Sequence, residues 1–416
     1  MTPTDPDGAA LLAADFHALC DCGGRLAGTD SCARALAVLE RAGRAATGAA
    51  PRALPLAFQN WRVLEAALAT EDGTPIACHP LVRSAPTPPG GLAAEVLDLG
   101  RGTPEEFEAH AAEIPGRIVL VRHELMFAAG TIHRGVKYRR AVEAGAAGFL
   151  IAGPAAGSLV AGSSGRGPEA GIPAVGIAPE SAARLRRSAA GRPRVRLLLR
   201  TEEFSDATRS LLFEVPGETD EWVVLSAHVD GHDLAESAMD NASGAAAALH
   251  AARLLCRAPG PRRRGLRLAF FNLEEWALTG SAEYVAGLDA AQRARIVLNV
   301  NLDSVGCGPL TALTSGYAGL EPFLLRHAEA VGMPLGLFRP LQRNSDHANF
   351  AQAGIPALRL VSGFNDAGAP TRDVLTRLDT RDRVELAQLQ QAAALAAAVC
   401  ADAMQASDEA ARAWRG

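Results

Sequence analysis

Three short apolar runs in the second half of this chain each end on groups that water or a cation must satisfy. Trp222-Val-Val-Leu-Ser-Ala227 leads into His228-Val-Asp230, Leu266-Arg-Leu-Ala-Phe-Phe-Asn272 into Glu274-Glu275, and Ile296-Val-Leu-Asn-Val-Asn301 into Asp303. Runs of this length, rich in branched and aromatic side chains, predict strands. Between the first two, Ser243 to Cys256 is rich in alanine and leucine, is opened by a capping Ser or Asn and is closed by Pro259-Gly260. That pattern predicts a helix. Strand, helix, strand, helix, strand implies an α/β fold with a doubly wound, mostly parallel mixed sheet flanked by helices. Ligands of such sheets bind beyond the carboxyl ends of the strands, which is where these clusters fall.

With Asp240-Asn-Ala-Ser-Gly244 the clusters number four. Taken singly, His-x-Asp or Glu-Glu reads as a solvated loop, and Asp-Asn-Ala-Ser-Gly as a turn with a helix cap. Taken together, converging carboxylates would repel one another and raise their pKa values unless a cation neutralised them. A bound metal is therefore expected. Zinc accepts imidazole nitrogen and carboxylate oxygen, and a catalytic zinc keeps one position open for a water whose pKa falls to about 7. A hydrolase follows from that chemistry.

On these motifs the chain resembles the co-catalytic zinc exopeptidases, a family that includes secreted bacterial aminopeptidases, glutamate carboxypeptidase, glutaminyl cyclase and the transferrin receptor ectodomain. Gly24-Arg-Leu-Ala-Gly-Thr29 is similar to the family's arginine-containing loop, and Val215-Pro-Gly217 to the start of the strand before the first ligand. Thr279-Gly-Ser281, Ser345-Asp-His347 and Gly354-Ile-Pro356 also fit. The resemblance implies that His228, Asp240 and Asp303 hold one zinc and that Asp240 bridges to a second held by Glu275. Glu274 would be the general base. Asp230 would accept the second ring N–H of His228 and so fix its tautomer.

One position departs from the family. Its second metal site ends with a histidine in a His-Thr-x-x-Asp-Thr segment, and here that stretch reads Leu375-Thr-Arg-Leu-Asp379-Thr380. Leucine binds no zinc, so the second site keeps only Asp240 and Glu275 while the first keeps three ligands. Three readings stay open. The enzyme works with one tight zinc; or His347, with His232 and Asp373 behind it, replaces the missing ligand; or the fold survives as a binding module or a non-hydrolytic acyl-transfer enzyme. The survival of Glu274, whose rationale is proton transfer, favours a zinc-dependent aminopeptidase acting on small peptides or aminoacyl compounds.

Residues 84 to 200 carry their own punctuation. Pro115-Gly-Arg-Ile-Val-Leu-Val121 predicts a turn and buried strand, Tyr138 to Gly145 a helix, and Ala146–Ile151 and Gly171–Ile177 further strands. The segment resembles a protease-associated domain, which in this family shapes the substrate entrance. Ala152 to Pro168, dense in glycine, serine and proline, reads as a mobile loop, and His123 and His133 read as structural or surface residues. The expected division is a first peptidase part over 1–83, the insert over 84–200 and the metal-bearing part over 201–416.

A chain of 416 residues with 48% hydrophobic and 21% charged residues exceeds one core and is globular. A net charge of -5 leaves no basic footprint for nucleic acid, and Arg262-Arg-Arg264 after Pro-Gly reads as a solvated turn. Met1 to Asp15 lacks a basic start followed by an apolar core, and the alanine runs near Ala392 to Ala398 are too short for a bilayer. Seven irregularly spaced cysteines fit reduced thiols, so the expectation is a cytoplasmic protein with no nucleic-acid or membrane partner.

Overall fold

The structure, a computed structural model, describes residues 6–167, 169–187 and 192–415. Residues 1–5 of the amino-terminal stretch and Pro168 of the glycine-rich loop lie outside the described residues. In chain order the strands are β1 (Pro51–Thr70), β2 (Pro75–Ile76), β3 (Cys78–Pro80), β4 (Leu92–Asp98), β5 (Ile118–Arg122), β6 (Gly148–Ala152) and β7 (Ala174–Ile177). They continue with β8 (Arg194–Val215), β9 (Trp222–His228), β10 (Gly265–Phe271), β11 (Ile296–Leu302), β12 (Leu310–Leu313), β13 (Gly336–Phe338) and β14 (Ala357–Ser362).

The chain forms two compact units. One takes the residues up to Phe58, Ala207–Thr371 and those from Asp379 onward; the other takes Gln59–Asp206 with Arg372–Leu378. The second unit is thus wider than the 84–200 insert expected from the sequence. The long strands β1 and β8 each begin in one unit and end in the other, which no local punctuation marks.

In the first unit the sheet order is β13-β12-β14-β11-β9-β10-β8. Its centre is parallel, with β10 and β11 on either side of β9 and β14 beyond β11, while β8 and β12 run antiparallel to their neighbours β10 and β14. Strands buried on both faces lose the alternation of a one-sided strand and become continuous apolar runs, as β9, β10 and β11 are. A core of Leu212, Val224, Ala269, Phe271, Ile296, Phe350 and Ala357 packs on this sheet. The helix between β9 and β10 is Ser243–Arg257, one residue longer than expected. Val215 ends β8 rather than opening the next strand, because Pro216 has no N–H for the ladder.

The second unit orders its strands β8-β4-β5-β6-β7-β3, with β4 to β7 parallel and their inner faces supplied by Val96, Ile118, Leu120, Leu150 and Val175. His133 caps the helix Arg134–Glu143, its Nδ1 accepting the Gly135 N–H at 3.2 Å. Leu375 belongs to this unit: it is buried, its carbonyl accepts the Ala161 N–H at 2.7 Å, and its backbone is left-handed at φ 63°.

The arginine run is not a solvated turn throughout. Arg264 is fully buried, with Nε donating to Glu221 at 2.7 Å and Nη2 to Asp408 at 2.7 Å, so its charge is paired rather than hydrated. All seven cysteines are unpaired. No helix of the described residues is long and apolar enough to cross a membrane.

Candidate metal centre

The register of the parallel strands explains why distant residues meet. Phe271 of β10 lies opposite His228 at the end of β9, and Asn301 of β11 lies opposite Ser226, so the first residues beyond each strand emerge side by side. Ligand atoms of His228, Glu274 and Asp303 all fall within 4.8 Å of one another. Asp240 joins them through His228, whose Nε2 is 3.0 Å from Asp240 Oδ1 and 3.5 Å from Asp303 Oδ1.

The ring of His228 is fully buried. Its Nδ1 is 3.0 Å from the Asp230 carbonyl oxygen, and donation there leaves Nε2 as the nitrogen with a free lone pair. That Nε2 has no aligned hydrogen bond although two carboxylate oxygens face it. A buried acceptor nitrogen aimed at buried acceptor oxygens is a poor arrangement unless a cation lies among them. The residues present therefore fit a divalent metal. The electrostatics agree: burial, together with Glu275, Asp303 and Asp346, pushes Glu274 well above the usual carboxylate range. Burial disfavours the charged form of His228, but Glu274 and Asp303 outweigh it and push its pKa well up, so the surrounding carboxylates demand a cation at Nε2: a proton in the metal-free protein, which a bound divalent ion would displace.

Asp230 acts differently from expectation. Its carboxylate Oδ1 is 3.9 Å from His228 Nδ1, and the ring N–H goes instead to the Asp230 carbonyl oxygen. The two carboxylate oxygens accept the backbone N–H groups of Glu274 and Glu275, each at 3.0 Å. Leu273, in the left-handed region at φ 61°, makes the turn that presents those N–H groups. Asp230 thus aims the glutamate pair.

Asp240 lies in a short irregular turn, residues 238–242, before the helix Ser243–Arg257. Gly244 is required there, since a Cβ would fall 2.3 Å from the Leu302 carbonyl oxygen and 2.2 Å from Asn241 Oδ1. Asp379, fully buried, accepts the Met239 N–H at 2.6 Å and the Asp240 N–H at 3.4 Å, and His232 Nε2 is 3.5 Å from it. Arg25 braces the loop from below, donating to the carbonyls of Val229 at 2.9 Å, Glu236 at 2.6 Å and Ser237 at 2.6 Å. Both were legible as pieces of the quoted motifs, but neither role was, because the partners lie more than a hundred residues away.

Glu275 is buried beside Glu274, outside the convergent group of His228, Glu274 and Asp303. His347 is also outside that group. It opens a short helix, His347–Gln352, is fully buried, and neither ring nitrogen has a hydrogen-bond partner among the described residues. Burial and the nearby Arg359 lower its pKa to about 3, so the ring is neutral. Asp346 is likewise buried and is raised to about 7, chiefly by burial.

Known proteins resemble both parts of this chain. Residues 210–400 match Peptidase family M28 and residues 79–185 match the PA domain. Aminopeptidase YwaD of Bacillus subtilis is 26% identical over 331 residues, covering 77% of this chain and 69% of that protein. Leupeptin-inactivating enzyme 1 of Streptomyces exfoliatus is 32% identical over 168 residues, covering 40% of this chain and 38% of the relative. The probable lipoprotein aminopeptidase LpqL of Mycobacterium tuberculosis is 27% identical, and the match spans 62% of its length. Among solved structures, a zinc aminopeptidase from Bacillus subtilis superposes with a TM-score of 0.76 at 23% identity, covering 96% of each chain. A peptidase M28 precursor from Shewanella amazonensis gives 0.76 at 22%, covering 96% of this chain and 93% of its own. The fold is shared with these enzymes, and residues 210–400 of this chain, just under half of it, match the zinc exopeptidase family Peptidase M28, with a PA-domain match at residues 79–185.

Proposed function

We propose that this chain is a metallo-aminopeptidase that hydrolyses the N-terminal amide of small peptides or aminoacyl compounds. The observation that carries the reading is the buried Nε2 of His228, without a hydrogen bond and facing Asp240 and Asp303, with Glu274 beside it. The names of the Bacillus subtilis and Mycobacterium tuberculosis relatives point to the same activity.

In this reading His228, Asp240 and Asp303 hold one zinc. When bound, zinc acidifies a water and polarises the scissile carbonyl. Glu274 would take a proton from the attacking water and deliver it to the leaving amine; its carboxyl is desolvated and lies beside His228 and Asp303. Asp240 and Glu275 alone fall short of the three protein ligands of a catalytic zinc, so one tight metal per chain is part of the proposal. A cytoplasmic location is a further part, supported by seven thiols without a disulfide among them.

Aminoacyl nitroanilides and dipeptides, each paired with its N-acetylated counterpart, test the activity with added zinc, manganese or cobalt. Turnover confined to the free amines is expected; no turnover across the panel sinks the proposal. Asp230→Ala tests the aiming of the glutamates. It removes the acceptor of two N–H groups and should lower kcat by about 10- to 100-fold, with zinc content unchanged. Asp230→Asn, which keeps one acceptor oxygen, should recover part of the loss.

A further inference from the structure

The interior of β14 contains an arginine that neither the strand nor the core explains. β14 reads Ala357-Leu-Arg-Leu-Val-Ser362 and is buried at every position, with Arg359 at 1% exposure. It lies between β11 and β12, where an aliphatic side chain would serve packing better than a guanidinium that must be stripped of water. The destination of its five donors gives the reason.

Arg359 Nη2 is 3.2 Å from Asp303 Oδ2, and Nε and Nη2 donate to the Asp303 carbonyl oxygen at 3.4 and 3.3 Å. Nη1 donates to Asn344 through its backbone carbonyl at 3.4 Å and its Oδ1 at 3.2 Å. One planar fork therefore grips both the backbone and the side chain of Asp303 and ties them to the segment that carries Ser345. The Ser345 hydroxyl donates to the same Oδ2, and Asn301 Nδ2 donates to Ser345 Oγ at 2.8 Å. Asn301 Oδ1 in turn accepts from Ser226 at 2.8 Å. Oδ2 is thus occupied on the far side, and Oδ1 is the oxygen left towards His228, 3.5 Å from its Nε2, with the Ser304 hydroxyl at 3.2 Å.

We propose that Arg359 is a positioning residue for the metal centre: it locks the Asp303 carboxylate so that a single oxygen, Oδ1, is presented to a divalent cation. A carboxylate on a loop beyond a strand can rotate and offer either or both oxygens. Two donors fixed on Oδ2 remove that freedom before metal arrives, so less order is lost on binding. Lysine could not replace it, because a single ammonium cannot reach Asp303 and Asn344 together. This inference rests on the metal-centre reading.

The test is zinc affinity, measured on the full-length apo protein by competition with a chromophoric chelator, for wild type, Arg359→Met and Arg359→Lys. Thermal melting of the apo forms reports folding separately. Affinity should fall by about 10- to 100-fold in Arg359→Met and by less in Arg359→Lys. At saturating zinc, kcat should fall while KM stays within roughly threefold, a split that loss of packing alone does not produce. Zinc binding as tight as wild type, or tighter, in a folded Arg359→Met overturns the proposal. Should that variant not fold, Arg359→Lys decides it by the same criterion. If the wild type binds no zinc, the metal-centre reading falls and this inference with it; if the wild type binds and the variants bind equally, only the inference falls.

Discussion

Glu274→Gln is expected to retain zinc and to lose turnover by about 10²- to 10⁴-fold, the range that a positioned general base contributes. Glutamine has the same shape, and the backbone of residue 274 is held by Asp230 whatever its side chain, so the amide should occupy the same place. An amide oxygen cannot take a proton at neutral pH. The loss should therefore appear in kcat, with KM nearly unchanged. Steady-state kinetics beside zinc analysis on the same preparation separates proton transfer from metal loss. A folded, zinc-loaded Glu274→Gln within about tenfold of wild type would remove Glu274 from the chemistry, because uniform binding effects do not require a base.

His228→Ala is expected to have the other large effect, and a different one. His228 is the only nitrogen in the convergent group, and without it Asp240 and Asp303 are two carboxylates with no third protein ligand. Zinc affinity should drop more than the roughly 10- to 100-fold typical of a residue that only supports a ligand. Activity should vanish and stay absent on adding zinc, whereas wild type stripped by a chelator should recover fully. The variant should also change stability in a telling way. In wild type, zinc should raise the melting temperature because it would bind the folded state. In His228→Ala that rise should disappear.

The ends of β9, β10 and β11 were readable because a strand buried on both faces is a continuous apolar run, and the charged residue that follows it stands out. His228, Glu274 and Asp303 were read that way, and Asp240 from the Asp-Asn-Ala-Ser-Gly cluster before the helix; the structure places the four near one another. The tasks of Asp230, Asp379, Arg25 and Arg359 were not readable. Each depends on a partner on another element: Arg25 acts 204 to 212 positions away, and Arg359 acts 56 positions back on Asp303. A lone arginine in an apolar run gives no local sign of whether it faces solvent or a buried carboxylate. Asp230 shows the same limit at short range, since the His-x-Asp spacing cannot tell a carboxylate contact from a carbonyl contact.

The unit boundaries escaped for a related reason. β8 alternates exposed and buried positions over its first half and becomes fully buried near Ser210 to Phe213, so a single strand serves two different cores. Turn residues punctuate loops, not the middle of a 22-residue strand. The helix and strands within the insert were legible because glycine and proline bracket them; its beginning at Gln59 was not, for β1 runs through it without a break.

The central claim is that one divalent cation is held by His228, Asp240 and Asp303. Metal content per chain, measured after gel filtration in zinc-buffered solution for wild type and Asp303→Ala, tests it most directly. The prediction is about one tightly bound zinc per wild-type chain and none retained by a folded Asp303→Ala. Wild type that emerges without zinc, or an Asp303→Ala chain that keeps it, would contradict the account.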